Sequence, residues 1–553
     1  MNLTGAEIIV QLLERQGISI LAGIPGGANL PLYNALHKSK IHHVLTRHEQ
    51  AAGFIAQGMA RSSGTTAVCF ATSGPGATNL LTAIADAKLD SVPVVAITGQ
   101  VPSQLIGTDA FQEIDTYGMT IPITKHNFLV RSVEELFTVI PEAFRIAASG
   151  RPGPVLIDVP KDIQSQRYEF SEWPEPGKTI EIKIDNSKEI DKAIDMLTQS
   201  KKPVLYVGGG IIHSNASEEL LAFAHKNSIP VTPTLMALGA IPYDDPLCLG
   251  MLGMHGSQST NIILNEADLV LALGVRFDDR ATGKVSGFCP NATIIHADID
   301  SSEFDKIKKV DLCIGGNIKE ILTKLLEKAT RNERRDWINT VSAYKKQYPF
   351  PKTFPKDLLH PFNIIRTVDS VIAPDSIITT DVGQHQMWVA QYYPFKKPRT
   401  LLTSGGLGTM GFGLPTALGA AFANPSKRIV CFSGDGSILM NIQELATLAD
   451  YNLDVTVVLF NNGHLGLVRQ QQELFYTRNY IASKFITNPD FKTIANGFGI
   501  RSFDLAHETD VRDVLSRALT EKGPSFVNVP IAPDLNVLPM VPPGGSNTES
   551  IGE

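Results

Sequence analysis

Short apolar segments alternate with helical patterns along nearly the whole chain. Segments 92–97, 155–159, 269–273 and 455–460 are mostly apolar at consecutive positions, so both faces of any strand that they form would be buried. Such segments, separated by stretches with apolar residues every three or four positions, are typical of parallel strands joined by helices. The pattern therefore predicts an α/β fold of doubly wound parallel sheets.

Two polar, proline-containing stretches interrupt this alternation. They cover residues 165–190 and 330–360, and we interpret both as linkers. Three parallel-sheet domains are then expected at 1–165, 190–330 and 360–540, followed by an irregular tail at 541–553. These lengths lie in the range of ordinary single domains.

Composition and charge narrow the function classes. The 553 residues include 49 Lys and Arg against 56 Asp and Glu, which gives a net charge of −7. An acidic chain without a basic run is a poor nucleic-acid binder, so we expect no nucleic acid partner. No apolar run reaches the roughly 18 residues that span a bilayer, and the first residues lack a secretion signal. We therefore expect no membrane association and a cytoplasmic location.

The five cysteines fit the same picture. They are far apart and form no Cys-x-x-Cys pair. We interpret them as buried small side chains rather than as disulfides or zinc ligands.

The most informative segment is 428–462. It reads as a strand, a tight turn at Gly434-Asp435-Gly436, a helix over 438–451 and a second strand that ends at Asn461-Asn462. A helix of about 14 residues spans about 21 Å, which matches the length of about six strand residues. The helix therefore returns the chain to the edge that it left. Asp435 and Asn462 should lie together at the carboxyl ends of neighbouring strands, where open α/β sheets bind ligands.

The residue types at this edge suit a metal-bound diphosphate. The Asp435 carboxylate and the Asn462 amide are oxygen donors of the kind that hold Mg²⁺ beside phosphate oxygens and water. Gly434 and Gly436 permit close approach of the backbone, and a helix capped by Ser437 offers amide donors to phosphates. A turn Asp and a loop Asn with no metal are the alternative.

A second glycine pattern nearby fits a different cofactor. Residues 406–411 match G-x-G-x-x-G, the signature of dinucleotide-binding turns. The acidic residue that should follow about 20 positions later would be Asp435, which the metal site already uses. A single match of this type is weak, so nicotinamide binding is the less favoured interpretation.

A carboxylate near the N-terminus completes the candidate chemistry. Glu49 lies at the predicted start of a helix, where it would also complement the helix dipole. Together with the pattern of residues 434–436 and 461–462, it makes the chain resemble the thiamine diphosphate enzymes. The resemblance implies that Glu49 hydrogen-bonds the aminopyrimidine ring of the cofactor. That ring then removes the proton from the thiazolium carbon, which is general base catalysis relayed through the cofactor.

Motifs distributed over the chain narrow the resemblance to one family. They resemble those of acetolactate synthase (acetohydroxyacid synthase) catalytic subunits and cover essentially the whole chain, including the tail. The motifs are residues 24–27 (IPGG), 47–50 (RHEQ), 72–79 (TSGPGATN), 107–113 (GTDAFQE), 123–126 (ITKH), 150–154 (GRPGP), 251–256 (MLGMHG), 276–280 (RFDDR), 380–388 (TDVGQHQMW) and 405–413 (GGLGTMGFG).

The family resemblance implies site residues of four kinds. Those at the reacting centre are Gly27, Glu49, Phe111, Gln112, Lys161 and Arg280. Those at thiamine diphosphate are Glu49, Val382, Gly383, Gln384, Gly408, Met410, Gly434, Gly436, Ser437 and His464. The Mg²⁺ ligands are Asp435, Asn462 and the backbone oxygen of His464. Those at FAD are Arg151, Gly208, Gly209, Thr234, Leu235, Met254, His255, Gly274, Arg276, Asp278 and Asp298.

Several of these assignments have plainer alternatives. The glycines from Gly208 onward fit a tight turn after a strand, and Met254 fits core packing. Arg276 and Arg280 flank two Asp residues, as in a surface salt-bridge cluster.

The resemblance also implies an activity and partners. Pyruvate would be decarboxylated, and the product would condense with a second pyruvate or with 2-ketobutyrate. FAD would be structural, the chain would form a homodimer or a dimer of dimers, and a regulatory small subunit is expected. The alternatives are pyruvate oxidase, glyoxylate carboligase (which typically lacks the activating Glu) and a non-catalytic family member.

One departure from the family pattern concerns the second substrate. Many members carry Trp where this chain has Gln471, and Met where it has Leu467. The pattern of this chain most resembles that of the bacterial isozyme that shares this Gln. The Trp is associated with a preference for 2-ketobutyrate. A methylene contact is worth about 10- to 200-fold in discrimination, so Gln471 predicts weak discrimination between the two keto acids.

Overall fold

The computed structural model describes residues 1–180, 184–354, 356–508 and 510–552. Its strands form three sheets, in each of which all neighbouring strands run parallel, and one small antiparallel pair. The predicted α/β class with three doubly wound sheets is confirmed. None of the helices in the described ranges is long and apolar enough to cross a membrane.

The N-terminal part of the chain folds around a six-stranded sheet. Its elements are β1 (Asn2–Thr4), α1 (Gly5–Arg15), β2 (Ile20–Gly23), α2 (Leu30–Leu36), β3 (His42–Leu45), α3 (Glu49–Ser63), β4 (Ala67–Ala71), α4 (Pro75–Leu89), β5 (Val94–Gln100), α5 (Thr116–Thr120), β6 (His126–Leu129), α6 (Leu136–Ala148), β7 (Val155–Pro160), α7 (Lys161–Ser165) and β8 (Arg167–Glu169). The strand order is β3-β2-β4-β5-β7-β6, while β1 pairs with β8. Every residue of β4, β5 and β7 is buried, as expected of strands covered on both faces.

The central part folds around a five-stranded sheet. Its elements are α8 (Ser187–Gln199), β9 (Pro203–Val207), α9 (Gly209–His213), α10 (Ser217–Asn227), β10 (Val231–Pro233), α11 (Gln258–Asn265), β11 (Leu269–Leu273), α12 (Asp279–Thr282), β12 (Thr293–Asp298), β13 (Leu312–Gly315), α13 (Ile318–Lys328) and α14 (Arg335–Gln347). The strand order is β10-β9-β11-β12-β13.

The C-terminal part repeats the architecture of the first. Its elements are α15 (Pro361–Val371), β14 (Ile377–Thr380), α16 (Gln384–Tyr392), β15 (Leu401–Leu402), α17 (Gly413–Ala423), β16 (Ile429–Gly434), α18 (Asp435–Ile438), α19 (Glu444–Asp450), β17 (Val455–Asn461), α20 (Gly466–Phe475), α21 (Phe491–Gly497), β18 (Arg501–Asp504), α22 (Val511–Thr520) and β19 (Ser525–Pro530). The order β15-β14-β16-β17-β19-β18 has the same connectivity as the first sheet.

Helices α3 and α17 join the two outer sheets into one core. Glycines let the two helices approach closely. A Cβ atom on Gly58 would lie 2.2 Å from the Thr416 carbonyl oxygen, and one on Gly419 would lie 2.0 Å from that of Ile55. The N-terminal and C-terminal parts of one chain are therefore packed too closely to move independently.

The structure corrects the helix that was predicted over 438–451. The chain instead forms the short helices α18 and α19, with a break between them. Asn441 lies in the break and is buried, and its side-chain amide donates to the Gly411 carbonyl and to Gln50 Oε1 at 2.8 and 3.0 Å. These tertiary hydrogen bonds replace helical ones, because an Asn side chain competes well with the helical backbone.

The stretch 330–360 is not wholly a linker. It contains α14, whose Trp337 and Val341 are buried in the central core. The Trp337 indole nitrogen donates to the Pro203 carbonyl at 3.0 Å. The spacing of these two residues is helical, and the polar composition around them hid that signal from the sequence analysis.

Two other segments were predicted to be irregular, residues 165–190 and the tail at 541–553. The described part of 165–190 contains the short strand β8 and, from Ser187, the start of α8. Residues 181–183 lie outside the described residues. The tail has no helix or strand over 541–552 but is packed on the central part, since Val541 N donates to the Met254 carbonyl at 2.8 Å. Asn547 Nδ2 likewise donates to the Ala281 carbonyl at 2.8 Å. Residue 553 lies outside the described residues.

Candidate active site

Each sheet has a point near its first strand where successive connections run in opposite directions. The reversals lie between β2 and β4, between β9 and β11, and between β14 and β16. Loops that leave neighbouring strands in opposite directions open a crevice at the carboxyl edge of a sheet. Gly208, Gly274 and Gly383 follow three of these strands within three residues, so the predicted cofactor residues lie where this topology leaves room for a ligand.

The two predicted metal ligands lie side by side. Strands β16 and β17 pair in register up to Gly434 and Phe460, so their carboxyl ends are adjacent. The Asp435 carboxylate accepts hydrogen bonds from the backbone amides of Asn462 and Gly463 at 3.2 and 2.5 Å. Asp435 is buried, and burial raises the pKa of its carboxyl to about 6. The predicted adjacency is present, and the role of both residues as metal ligands stays a prediction.

A buried histidine beside this pair was not assigned by the sequence analysis. His385 is the second residue of α16, and its Nε2 has no hydrogen-bond partner in the described part of the chain. Burial lowers the pKa of His385 to about 3, so the imidazole is neutral. A Cβ atom on Gly383 or on Gly434 would lie 2.8 Å from its ring. Both glycines therefore make room for this ring, and the only signal for it in the sequence is its place two residues after Gly383.

The Gly-rich loop between β15 and α17 is held at this edge. Gly411 N donates to Asp381 Oδ1 at 2.8 Å, and Ser433 Oγ donates to Asp381 Oδ2 at 3.3 Å. Burial raises the pKa of Asp381 to about 6. Asp381 thus ties the end of β14 to the loop that contains Gly408 and Met410, a role that the motif 380–388 did not reveal.

The remaining residues assigned to thiamine diphosphate lie around the same edge. Ser437 Oγ donates to the Val382 carbonyl at 2.8 Å, and Gln384 Oε1 accepts from Asn462 Nδ2 at 3.3 Å. His464 N donates to Asn462 Oδ1 at 3.0 Å. These bonds hold the segments after β14, β16 and β17 against one another.

The residues assigned to the reacting centre lie mainly at the carboxyl edge of the first sheet. Glu49 is the first residue of α3, as predicted, and its Oε2 accepts from Asn79 Nδ2 at 2.9 Å. Lys161 is the first residue of α7, directly after β7. Gln112 and Phe111 lie in the loop after β5, where Gln112 has a left-handed φ of 61° and Phe111 is 88% exposed. The motif 72–79 contains Asn79 but does not reveal this contact with Glu49.

A cavity of about 1140 Å³ lies where the three parts of the chain meet. Every residue assigned to FAD lines it, and so do Gly408, Arg280, Leu467 and Gln471. Glu49, Asp435 and Asn462 do not line it. The chain therefore brings the FAD set together in one place, and the Glu49 and Asp435 side chains lie outside that cavity.

The glycines from Gly208 to Gly210, which line this cavity, are not all required for the same structural reason. A Cβ atom on Gly208 would lie 2.3 Å from the Gly274 carbonyl oxygen, and one on Gly210 would lie 2.6 Å from the Gly274 Cα. A Cβ atom on Gly209 would meet no atom closer than 3.6 Å. The tight-turn interpretation thus explains Gly208 and Gly210, whereas Gly209 leaves space beside the cavity.

Three arginines that line the cavity differ in their hydrogen bonding and exposure. Arg151 Nη1 donates to Glu303 Oε1 at 2.7 Å, which joins the first and central parts of the chain. Arg276 Nη1 donates to the Leu89 carbonyl at 2.8 Å. The Arg280 side chain is 65% exposed and lies 3.7 Å from Asp279, so the salt-bridge alternative describes it only loosely.

The donor chemistry fits the expected groups. The described residues hold no cluster of three or more His, Cys, Asp or Glu that could bind a metal. A cation at Asp435 would instead use one carboxylate, neutral oxygens and the phosphates of a ligand, as Mg²⁺ commonly does. The free Nε2 of His385 suits a phosphate oxygen. The cavity beside Gly209, at about 1140 Å³, is slightly larger than the roughly 300–1,000 Å³ of most ligand pockets and is large enough for a dinucleotide.

Comparison with protein families gives the same three parts. The model of the thiamine pyrophosphate enzyme N-terminal TPP binding domain matches residues 3–119. The models of the central domain and of the C-terminal TPP binding domain match residues 190–325 and 381–529.

Curated relatives match along the whole chain. It is 53% identical over 551 residues to the acetolactate synthase isozyme 1 large subunit of Escherichia coli (strain K12), covering 100% of this chain and 98% of that relative. It is 47% identical over 566 residues to the acetolactate synthase large subunit of Corynebacterium glutamicum, covering 99% and 90%. It is 46% identical over 570 residues to the chloroplastic acetolactate synthase of Arabidopsis thaliana, covering 99% and 84%.

Proposed function

The chain belongs to the acetolactate synthase large subunits within the thiamine pyrophosphate enzymes, and on this premise we propose its reaction. It decarboxylates pyruvate and joins the remaining two carbons to a second pyruvate or to 2-ketobutyrate. The products are 2-acetolactate and 2-aceto-2-hydroxybutyrate, precursors of the branched-chain amino acids. The main support is the identity to named acetolactate synthases over the full chain, together with the presence of Glu49, Asp435 and Asn462. The pyruvate oxidase alternative is not favoured by these relatives.

The C-terminal edge supplies the residues that would hold the cofactor. Asp435, Asn462 and the backbone oxygen of His464 would bind Mg²⁺. His385 Nε2, which is buried without a partner among the described residues, would hydrogen-bond the diphosphate. The backbone amides around Ser437, in the short helix α18, would do the same. Thiamine diphosphate, when bound, supplies the carbanion chemistry of the reaction.

The N-terminal edge supplies the proton chemistry. Glu49 would hold and release a proton at its carboxylate, and the hydrogen bond from Asn79 Nδ2 would keep Oε2 oriented. Gly27, Phe111 and Gln112 would line the reacting centre.

We place FAD in the 1140 Å³ cavity as a structural group. Gly209 leaves room for a close approach to the backbone, and His255 Nδ1 has no partner in the described part of the chain. The net reaction needs no electron acceptor. Occupancy would therefore be visible as the absorbance of bound flavin without oxygen consumption.

The second keto acid would enter beside Lys161 and Arg280. Arg280 lines the cavity with an exposed guanidinium, which suits a carboxylate that arrives from solvent. Leu467 and Gln471 line the same cavity on α20.

Replacement of Gln471 by Trp is expected to change substrate choice. The larger apolar surface should raise the ratio of 2-ketobutyrate to pyruvate use by roughly 10-fold or more, because a methylene contact is worth about 10- to 200-fold. The measurement is the ratio of the two products formed in mixtures of both acids. Gln471→Leu should give an intermediate ratio. A strong preference for 2-ketobutyrate in the wild-type chain, or an unchanged ratio in the Trp variant, contradicts this assignment.

We further propose a homodimer or a dimer of dimers, in which Glu49 serves the diphosphate edge of the partner chain. Exposed large side chains support this, since they lie on loops and helices that follow strands of the two outer sheets. They are Leu30, Leu105, Phe111, Ile121, Leu439, Met440, Val468 and Ile481. Burial of such a surface is the usual driving force for association.

A regulatory small subunit is a further expected partner, as the relatives' names as large subunits suggest. A cytoplasmic location agrees with the free cysteines, at positions 69, 248, 289, 313 and 431.

The reaction is tested by product analysis with each cofactor omitted in turn. Purified chain with pyruvate, thiamine diphosphate, Mg²⁺ and FAD should form acetolactate, measured colorimetrically. Omission of thiamine diphosphate or of Mg²⁺ should abolish the product, and omission of FAD should lower it. Oxygen uptake in proportion to pyruvate loss would identify an oxidase instead, and absence of any turnover would favour the non-catalytic alternative.

A further inference from the structure

Two aspartates lie in an unfavourable place at the end of α4. Asp86 and Asp90 are four residues apart, one in the last turn of the helix and one at its C-cap, and both side chains are 0% exposed. Carboxylates at this end oppose the helix dipole, and like charges at this spacing repel each other. Burial and the neighbouring Asp90 raise the pKa of Asp86. Nothing local in α4 accounts for this pair.

The partners of the pair are on the Gly-rich loop of the C-terminal part. Asp90 accepts the consecutive backbone amides of Gly405 and Gly406 at 3.0 and 2.7 Å. Asp86 Oδ2 accepts from the hydroxyl groups of Ser404 and of Thr409, the latter at 2.9 Å. The two carboxylates therefore bind the loop at both of its ends. We call Asp86, Asp90 and the bonds that they make to residues 404–409 the clasp.

One arginine completes the clasp. Arg61 Nη2 donates to Asp86 Oδ1 and Asp90 Oδ2 at 3.2 and 2.9 Å, and Arg61 Nη1 donates to the Thr403 carbonyl at 3.0 Å. The guanidinium also lies 5.1 Å from the centre of the Phe412 ring, just beyond the other end of the loop. Arg61 thus compensates the buried charge and holds the chain on both sides of the loop.

Outside the clasp, side chains hold only the two ends of this segment, where Gln386 Nε2 donates to the Ser404 carbonyl at 2.9 Å and Gly411 N donates to Asp381. Residues 405–408 are exposed, and Gly408 and Gly411 have left-handed φ values of 69° and 89°. A segment with so many glycines loses much conformational freedom when it takes one shape. Fixing that shape before a ligand arrives removes this cost from the binding step.

We propose that Asp86 and Asp90 are positioning residues that hold the loop of Gly408 and Met410 in the shape that thiamine diphosphate requires. The inference rests on the proposed function for the assignment of Gly408 and Met410 to the cofactor. It goes beyond that function because neither aspartate lies at the diphosphate edge, and because both belong to the N-terminal part of the chain. The clasp would make cofactor affinity at one sheet depend on a helix of the other.

Asp86→Asn and Asp90→Asn test this in the full chain, with Asp268→Asn as a matched control. Asp268 also accepts two consecutive backbone amides, those of Lys201 and Lys202 at 2.8 and 2.9 Å, but it lies away from the loop. The measurement is the Kd of the purified apoprotein for thiamine diphosphate with Mg²⁺, by titration calorimetry, beside its thermal midpoint. The clasp variants should weaken binding by roughly 10- to 100-fold, since each loses charge-assisted bonds. At saturating cofactor their KM for pyruvate should stay within about twofold, because the loop is then ordered.

The possible results distinguish a positioning role of the clasp in cofactor binding from a general effect on the stability of the fold. The Asp268→Asn chain should keep the wild-type Kd even where its thermal midpoint falls. Wild-type affinity in folded clasp variants, or equal weakening in the control, overturns the proposal. If a clasp variant does not fold, Thr409→Val is the test, because it removes only the hydrogen bond to Asp86. It should weaken thiamine diphosphate binding by roughly 3- to 10-fold. An unchanged Kd in this variant overturns the proposal. A wild-type chain that binds the cofactor without forming acetolactate contradicts the reaction and leaves the clasp to be judged by these Kd ratios.

Discussion

Glu49→Gln is expected to lower acetolactate formation by roughly 100- to 10,000-fold, the usual contribution of a positioned acid–base group. Gln has nearly the size of Glu and can still bond Asn79, but it neither takes nor releases a proton. The chain should therefore fold and bind thiamine diphosphate with little change. The measurement is kcat for acetolactate at saturating pyruvate and cofactor, with the cofactor Kd determined in parallel.

The matched control is Glu7→Gln. Glu7 is also a glutamate in the first turn of a helix of the same part of the chain, where it forms a capping box with Thr4. Its loss should lower stability by about 1 kcal/mol and leave kcat unchanged. Equal activity of the Glu49→Gln and wild-type chains would reduce Glu49 to a helix-dipole residue, the plainer interpretation of its position.

The same variant reports on assembly. Co-expression of Glu49→Gln chains with Asp435→Asn chains should restore about one quarter of wild-type sites, because half of random dimers are mixed and one of the two sites in each is intact. Restoration requires that each site combines Glu49 of one chain with Asp435 of the other. Mixtures without recovery would place both residues of a site in one chain.

Asp435→Asn is the second large effect that we expect. Loss of the one carboxylate in the proposed ligand set should weaken Mg²⁺-dependent cofactor binding and turnover by roughly 100-fold or more, because the other two ligands of the set are neutral oxygens. The apoprotein should not lose stability. The wild-type carboxylate is buried among backbone amides, and no Lys or Arg among the described residues pairs with it. A buried charge without a cation opposes folding, so the thermal midpoint of the variant apoprotein should equal or exceed that of the wild type.

Asp504→Asn is the control for this prediction. Asp504 ends a strand of the same sheet and accepts a backbone amide, that of Ala506, at 2.9 Å. Its substitution should leave the Mg²⁺ dependence of cofactor binding unchanged. The thermal midpoint of the wild type should rise on addition of thiamine diphosphate with Mg²⁺, whereas that of Asp435→Asn should not. An Asp435→Asn chain with normal Mg²⁺ dependence would remove Asp435 from the metal site.

Local patterns predicted the outer framework of the site well. The spacing from Asp435 to Asn462 required only that two parallel strands be joined by a returning connection, and the structure confirms this adjacency. The start of α3 at Glu49 also follows from local signals. The helix over 438–451 was wrong, because the side chain of Asn441 bonds Gly411 and Gln50 from distant parts of the chain.

The sequence by itself determined the α/β class and the family, and it predicts the domain limits and the residues for acid–base and metal chemistry. These depend on periodicity and on motifs that are short in sequence. Only the tertiary structure decided that His385 is buried without a partner, that Asn79 bonds Glu49 and that Asp86 and Asp90 bind the Gly-rich loop. The physical reason is that burial and hydrogen bonding of a side chain depend on which distant segments pack against it, and local pattern contains no record of those segments.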